Sequence, residues 1–223
     1  DADRVGAMDE RSNFVDPHKI MALALHYLVE KRGLTGSVVR TVSTTRMIDR
    51  LASKYGLTVH ETPVGFNHIA DYMMKEQVLI GGEESGGIGF SGHIPEGDGV
   101  LMGLLIVEMI AEANSTLFEM VEDLQKEVGP VFYDRIDQRL KYPVSKEKMV
   151  ARLVNNPPAS LGGESLTEIS TMDGVKYIFD DDSWLLIRPS GTEPVLRVYA
   201  EGRSEDMVQA LLTFGKSIAD RVS

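Results

Sequence analysis

The sequence predicts an α/β domain, in which helices cover a mixed sheet, followed by a smaller α+β domain. Three observations carry this. Up to about residue 128, short β-branched runs alternate with apolar residues at helical spacing, the order expected of a βαβ-type sheet. At Gly129-Pro130 the pattern breaks. Beyond it, strand-like runs cluster between two helical ones, as in small α+β domains.

The elements follow in order. After a short polar lead, Asp16-Pro17 supplies an N-cap and a first-turn proline, and Ile20, Met21, Leu23, Ala24, Tyr27 and Leu28 recur at helical spacing until Gly33. Ser37 to Val42 reads as a strand, Thr44 to Tyr55 as a helix closed by Gly56, and Leu57 to Glu61 as a second strand. A helix from Gly65 to Lys75 and a buried strand from Val78 to Ile80 come next. A glycine-rich loop, Gly81 to Gly99, then interrupts the alternation, and loops of that length inside compact domains are usually functional. Helices follow at Val100 to Ala113 and Leu117 to Val128, the second capped by Ser115 or Thr116. In the second domain the expectation is a strand at Phe132 to Gln138, a helix at Ser145 to Val154 and a Pro-Pro and Gly-Gly turn region. Strands at Leu166 to Ser170, Val175 to Phe179, Trp184 to Arg188 and Val195 to Ala200 precede a last helix from Ser204.

With 223 residues, 43% of them hydrophobic, the chain can bury an ordinary core. Its 23 basic residues against 34 acidic ones give a net charge of −11, which argues against nucleic acid or an anionic membrane as partner. Any anion site must therefore be locally basic. The absence of cysteine excludes disulfides and thiolate metal sites and fits a reducing cytoplasm. The most apolar run, Val100 to Val107, stops at Glu108, far short of the ~20 residues of a membrane span, and reads as a buried helix.

Four constellations could carry chemistry. Arg188-Pro189-Ser190-Gly191-Thr192-Glu193-Pro194 lies between two predicted strands. There Ser190 and Thr192 offer hydroxyls, Gly191 lets the backbone approach an anion, and Arg188 can grip paired phosphate oxygens, with Arg197 as reinforcement. The alternative is a tight turn with solvated hydroxyls. Gly81-Gly82-Glu83-Glu84-Ser85-Gly86-Gly87 follows a buried strand, where open α/β sheets bind ligands. The Glu83 carboxylate and Ser85 hydroxyl suit the vicinal hydroxyls of a sugar, or else face water in a plain turn. Asp1-Ala2-Asp3-Arg4 could hold Mg²⁺ on two carboxylates beside a basic group, or be a fraying acidic terminus. His93, in a glycine-rich loop, is a candidate general acid/base or a residue that bonds its own loop.

In this order and separation, Asp1-Ala2-Asp3-Arg4, Gly82-Glu83-Glu84-Ser85-Gly86 and Arg188-Pro189-Ser190-Gly191-Thr192 resemble the last three signature loops of the α-D-phosphohexomutases, the phosphoglucomutase/phosphomannomutase superfamily. The resemblance spans the whole chain and implies a C-terminal part of such an enzyme. Residues 1–15 would be the tail of a metal-binding second domain, 16–129 an α/β sugar-recognition third domain, and 130–223 an α+β phosphate-binding fourth. It further implies that Asp1 and Asp3 are metal ligands, Arg4 a catalytic arginine, Glu83 and Ser85 sugar contacts, and Arg188, Ser190, Gly191 and Thr192 phosphate contacts. The implied reaction interconverts hexose 1-phosphate and hexose 6-phosphate through a phosphoserine and a hexose 1,6-bisphosphate, with Mg²⁺ as cofactor. Neither a phosphoserine loop nor the first metal aspartate occurs in the 223 residues, so the N-terminal domains are the expected partner and the chain alone is expected to be inactive. Glu84 within the sugar loop resembles glucose-type members and favours phosphoglucomutase, with phosphomannomutase or phosphoglucosamine mutase specificity as the alternative. Gly87 and Asn67 depart from the histidine and lysine that some members carry there, which leaves the proton carrier open. Two rival readings stand beside this one: a phosphosugar-binding module without catalysis, and an Asp-x-Asp phosphatase.

Overall fold

The computed structural model describes residues 1–140, 145–190 and 193–222, with side chains up to residue 218. It divides into two compact units, Asp1–Gly129 and Pro130–Ser223.

The first unit opens on a small hairpin, β1 (Ala7–Met8) against β2 (Phe14–Val15). Its turn closes on Asp9, whose Oδ1 accepts from the backbone N–H groups of Arg11 and Asn13. The polar lead is thus structured. Asp16 caps helix α1 (Pro17–Glu30), accepting from the Lys19 N–H at 3.1 Å. The chain continues through β3 (Ser37–Thr41), α2 (Met47–Tyr55), β4 (Val59–Thr62), α3 (Phe66–Lys75), β5 (Val78–Gly82) and β6 (Ile88–Phe90). The sheet order is β4-β3-β5-β6, with β3 parallel to β4 and β5 and only β6 antiparallel. Alternation on β5 shows why both faces must be apolar: a side chain at Gly81 would meet Ile69 of α3, and one at Gly82 would meet Met21 of α1. Helices α4 (Gly99–Ala113) and α5 (Leu117–Val128) complete the unit, the second begun by a reciprocal capping box between Thr116 and Glu119.

Arg40, in β3, is 2% exposed. Its Nε and Nη2 donate to the two oxygens of Asp49 in α2, both at 2.7 Å, and Nη1 donates to Glu61 of β4 at 2.6 Å.

The second unit consists of β7 (Phe132–Arg139), α6 (Lys146–Asn155), β8 (Ser160–Leu161), β9 (Glu164–Ser170), β10 (Val175–Phe179), β11 (Trp184–Pro189), β12 (Val195–Gly202) and α7 (Glu205–Val222). The strands form one antiparallel sheet in the order β7-β12-β11-β10-β9-β8. Val175, Tyr177, Leu185, Ile187 and Val198 alternate onto the face covered by Met149 and Leu153 of α6 and Leu211 of α7.

The predicted fold class holds, with four local corrections. Gly81 and Gly82 belong to β5, and Ile88–Phe90 pairs with it, so the glycine-rich segment begins as a hairpin. The helix read from Thr44 starts at Met47, because Thr41, Ser43 and Thr44 bond one another through their hydroxyls. The Pro-Pro and Gly-Gly region contains β8, joined to β9 by Gly162-Gly163 with both at positive φ. Helix α4 is not buried all round: Met102, Ile106 and Met109 face inward, whereas Val100, Leu104 and Val107 are more than 60% exposed. No single helix among the described residues is long and apolar enough to cross a membrane.

Candidate functional site

The acidic start of the chain docks on the glycine-rich hairpin, rather than fraying. The Val5 N–H donates to Gly86 O at 3.1 Å, Arg4 bridges Gly87, and the Gly99 N–H donates to Ala2 O at 2.8 Å. Contact is so close that a Cβ at Gly99 would lie 2.1 Å from Arg4 O. Only glycine admits this packing. Ala2 has a left-handed backbone, φ 63°, a conformation that costs a non-glycine residue energy and is concentrated at functional sites. Two motifs 80 residues apart in sequence are thereby joined. The Arg4 side chain is 67% exposed and 3.9 Å from the Asp3 carboxylate.

Asp1 and Asp3 offer hard oxygen donors, the chemistry Mg²⁺ accepts, and that ion commonly takes one or two carboxylates together with substrate phosphate and water. Among the described residues, a group of three carboxylates near enough for one ion occurs only elsewhere, at Glu164, Asp180 and Asp181. Two carboxylates on Asp1 and Asp3 fit Mg²⁺ as partial, not complete, ligands.

Glu83 lies in the turn that follows β5, at the C-terminal edge of the parallel strands, where side chains of such sheets reach ligands. Its Oε1 accepts from the Gly65 N–H at 2.8 Å and its Oε2 from the Ser85 hydroxyl at 3.2 Å. The carboxylate and hydroxyl therefore converge, and the turn is closed by Gly86 N–H donating to Glu83 O. Beside it lies a feature the sequence reading missed. Thr41, Ser43 and Thr44 are buried, and the Thr44 hydroxyl donates to Gly82 O at 3.5 Å, tying the loop after β3 to the end of β5. The Thr-Val-Ser-Thr-Thr run was the available signal, overridden by the helical spacing that follows it.

His93 has a partner in its own loop. Its Nε2 lies 3.0 Å from Asp98 Oδ2, while Asp98 Oδ1 caps α4 by accepting from the Leu101 N–H. That backbone bond, aided by His93, holds the Asp98 carboxyl below the usual range. The ring is oriented by a carboxylate, as a proton carrier's would be, but the same bond secures the loop.

In the second unit, Arg188 of β11 stands directly across from Arg197 of β12, which in turn opposes Asp137 of β7. Two like charges in register are unfavourable unless something anionic joins them. Arg188 Nε donates to Asp173 Oδ2 at 2.6 Å, and Arg197 Nε is 3.9 Å from Asp137. That Arg197 nitrogen is buried without a hydrogen-bond partner. The two guanidiniums are thus flanked by carboxylates, Asp173 beside Arg188 and Asp137 beside Arg197. Past β11 the backbone turns back at once: Ser190 N–H donates to Val195 O at 2.8 Å, and the Glu193 N–H to the Ser190 hydroxyl at 3.3 Å. Gly191 and Thr192 lie outside the described residues. Asp173, absent from the sequence reading, is almost buried and also receives Lys146 Nζ at 2.8 Å. Burial pushes its carboxyl up, but the bonds from Lys146 and Arg188 outweigh that and hold it below the ordinary value. Asp173-Gly174, a familiar hairpin-turn pair, was its sequence signal.

Comparison with known proteins identifies the family. Residues 16–128 match the family model for phosphoglucomutase/phosphomannomutase, alpha/beta/alpha domain III, and residues 139–213 match that for the C-terminal domain. A phosphoglucomutase/phosphomannomutase of Thermococcus kodakarensis is 32% identical over 96% of this chain and 44% of its own length. A phosphoglucosamine mutase of Methanocaldococcus jannaschii is 34% identical over 96% of this chain and 46% of its own. Among solved structures, the open form of parafusin (phosphoglucomutase) from Paramecium superposes with a TM-score of 0.75 at 25% identity, covering 99% of this chain and 44% of the other. The chain spans somewhat less than half the length of these relatives. By sequence and by fold, it belongs to the phosphoglucomutase/phosphomannomutase family, the α-D-phosphohexomutases.

Proposed function

We propose that this chain is the sugar- and phosphate-holding part of a phosphohexomutase, with glucose the first choice of sugar because Glu84 sits in the sugar loop. The observation that carries the reading is the docking of Asp1-Ala2-Asp3-Arg4 against Gly86, Gly87 and Gly99, which sets a candidate metal loop beside the convergent Glu83 and Ser85. Glu83 and Ser85 take ring hydroxyls, accepting and donating at fixed positions. Arg188, Ser190, Gly191 and Thr192 take the phosphate that is not reacting, with Arg197, across from Arg188, as the neighbouring guanidinium. Arg4 neutralises the phosphate under transfer, and His93, oriented by Asp98, is the proton carrier of the scheme.

Mg²⁺ on Asp1 and Asp3 would supply further charge neutralisation, the main requirement of phosphoryl transfer. The phosphoryl donor is a phosphoserine outside these 223 residues, and the bisphosphate must turn over between two half-reactions. Residues 1–15 belong in this scheme to a preceding metal-binding domain, and the reaction to the cytoplasm.

The test has two arms. Incubated with glucose 1-phosphate, glucose 1,6-bisphosphate and Mg²⁺, this chain should give no glucose 6-phosphate, yet calorimetry should detect glucose 6-phosphate binding. Arg188→Gln should weaken that binding by about 1.5–3 kcal/mol for each charge-assisted bond lost. Turnover at ordinary enzyme rates would refute the division of labour, and binding indifferent to Arg188 would refute the phosphate loop.

A further inference from the structure

The phosphate reading leaves unexplained why a nearly buried carboxylate should sit beside an arginine meant for an anion. We propose that Asp173 is a positioning residue that gathers Arg188 and Lys146 into a two-cation phosphate cradle, Lys146 being a second phosphate contact. This rests on the phosphate-holding role of Arg188 proposed above.

The geometry is specific. One oxygen of Asp173 takes Arg188 Nε at 2.6 Å and the other takes Lys146 Nζ at 2.8 Å, so a single carboxylate holds two cations side by side. The side chains of Asp173 and Arg188 are 7% and 18% exposed, whereas that of Lys146 is 52% exposed. The fixed members are therefore the inner ones, and the flexible cation is the outer one. Engagement through Nε uses one of the guanidinium's donors, and the terminal nitrogens are the bidentate fork suited to paired phosphate oxygens.

Backbone geometry enforces the arrangement. Gly174 has φ +96°, and a Cβ there would lie 2.5 Å from Ile187 O and 3.0 Å from Arg188 Cα, so the β9–β10 turn is pressed against the residue it orients. Lys146 comes from an independent element, the first residue of α6, behind the Ser145 cap. Among the described residues, Arg197 stands across from Arg188 and Asp137 across from Arg197.

A purely electrostatic role and a positioning role predict opposite signs. Removing the Asp173 charge should strengthen phosphate binding if the carboxylate merely competes with the ligand. It should weaken binding if the carboxylate aims the guanidinium. Titrating the full 223-residue chain with inorganic phosphate and with glucose 6-phosphate decides between them. For Asp173→Asn, with folding verified by circular dichroism, the expected result is affinity about tenfold lower, the scale of one charge-assisted bond misdirected. Lys146→Gln, an exposed change that tolerates loss of its ion pair, should weaken binding by roughly threefold, as expected for a partly screened cation. Adding Asp173→Asn to Arg188→Gln should cost little more than Arg188→Gln alone, an outcome a general stabilising role would not produce.

Unchanged or tighter binding by folded Asp173→Asn overturns the positioning role. Should that variant fail to fold, Lys146→Gln decides: unchanged affinity overturns the cradle, and weakened affinity with unchanged melting temperature supports it. If the wild-type chain binds neither ligand, or Arg188→Gln binds as wild type does, the phosphate reading itself has failed. That result is distinct from intact Arg188 dependence with an indifferent Asp173.

Discussion

Arg40→Met removes the centre of a buried ion network and asks how much of the first unit's stability depends on it. The guanidinium is 2% exposed and makes three bonds to carboxylates, two to Asp49 and one to Glu61, joining β3, α2 and β4. Burial disfavours its charge, but the two carboxylates outweigh that and raise its pKa, so it is charged at every working pH. Deleting one partner of a buried pair costs about 3–5 kcal/mol, because the others are left uncompensated. Asp49 and Glu61 are 29% and 24% exposed and can recover some water, which places the expected loss near the lower end, about 3 kcal/mol. For a unit of this size that is a fall in melting temperature of roughly 10 °C. Urea unfolding followed by far-ultraviolet circular dichroism measures it, with the m-value reporting whether the unfolded state has changed. A variant within about 1 kcal/mol of wild type, or more stable, would refute the structural role.

Three smaller perturbations follow from the same geometry. Gly99→Ala puts a methyl group 2.1 Å from Arg4 O, so hydrogen exchange at residues 2–5 should accelerate, and unchanged protection would show that the segment is not held there. Thr116→Ala breaks the capping box of α5 and should cost about 1 kcal/mol in chemical denaturation, recovered in large part by Thr116→Ser. Asp16 is pushed up by burial, but His18 and Lys19 outweigh this and leave its folded pKa below the ordinary value. Its contribution is therefore complete above about pH 4 and lost as pH falls through the folded pKa, so Asp16→Asn should flatten the acid limb of a melting-temperature profile.

Much of the fold was legible because each long element carried its own period. The apolar spacing from Ile20 to Leu28 and the apolar runs of β10 and β11 are local facts, set within a few residues of one another along the chain. Less legible were elements that exist only through a partner. β1 and β2 are two residues each and are fixed by Asp9 collecting backbone donors across a turn. Gly81 and Gly82 read as loop, since glycine lowers strand preference, yet α1 and α3 press so closely on β5 that no side chain fits there. Three large apolar residues of α4 are exposed although composition alone makes the helix look buried, because hydrophobicity does not specify which of several apolar faces finds a neighbour.

For the candidate site, sequence by itself determined the chemical types: carboxylates at Asp1, Asp3 and Glu83, hydroxyls at Ser85 and Ser190, and a guanidinium at Arg188. Tertiary structure alone decided which of them meet. Val5 reaches Gly86 across 80 residues because Gly97 and Gly99 leave room for a backbone, and Asp173 finds both Arg188 and Lys146 because a left-handed glycine folds its turn onto β11. Composition and spacing act over a few residues along a chain, whereas a binding site is made of distances through space, and those are fixed only when the sheets and helices have packed.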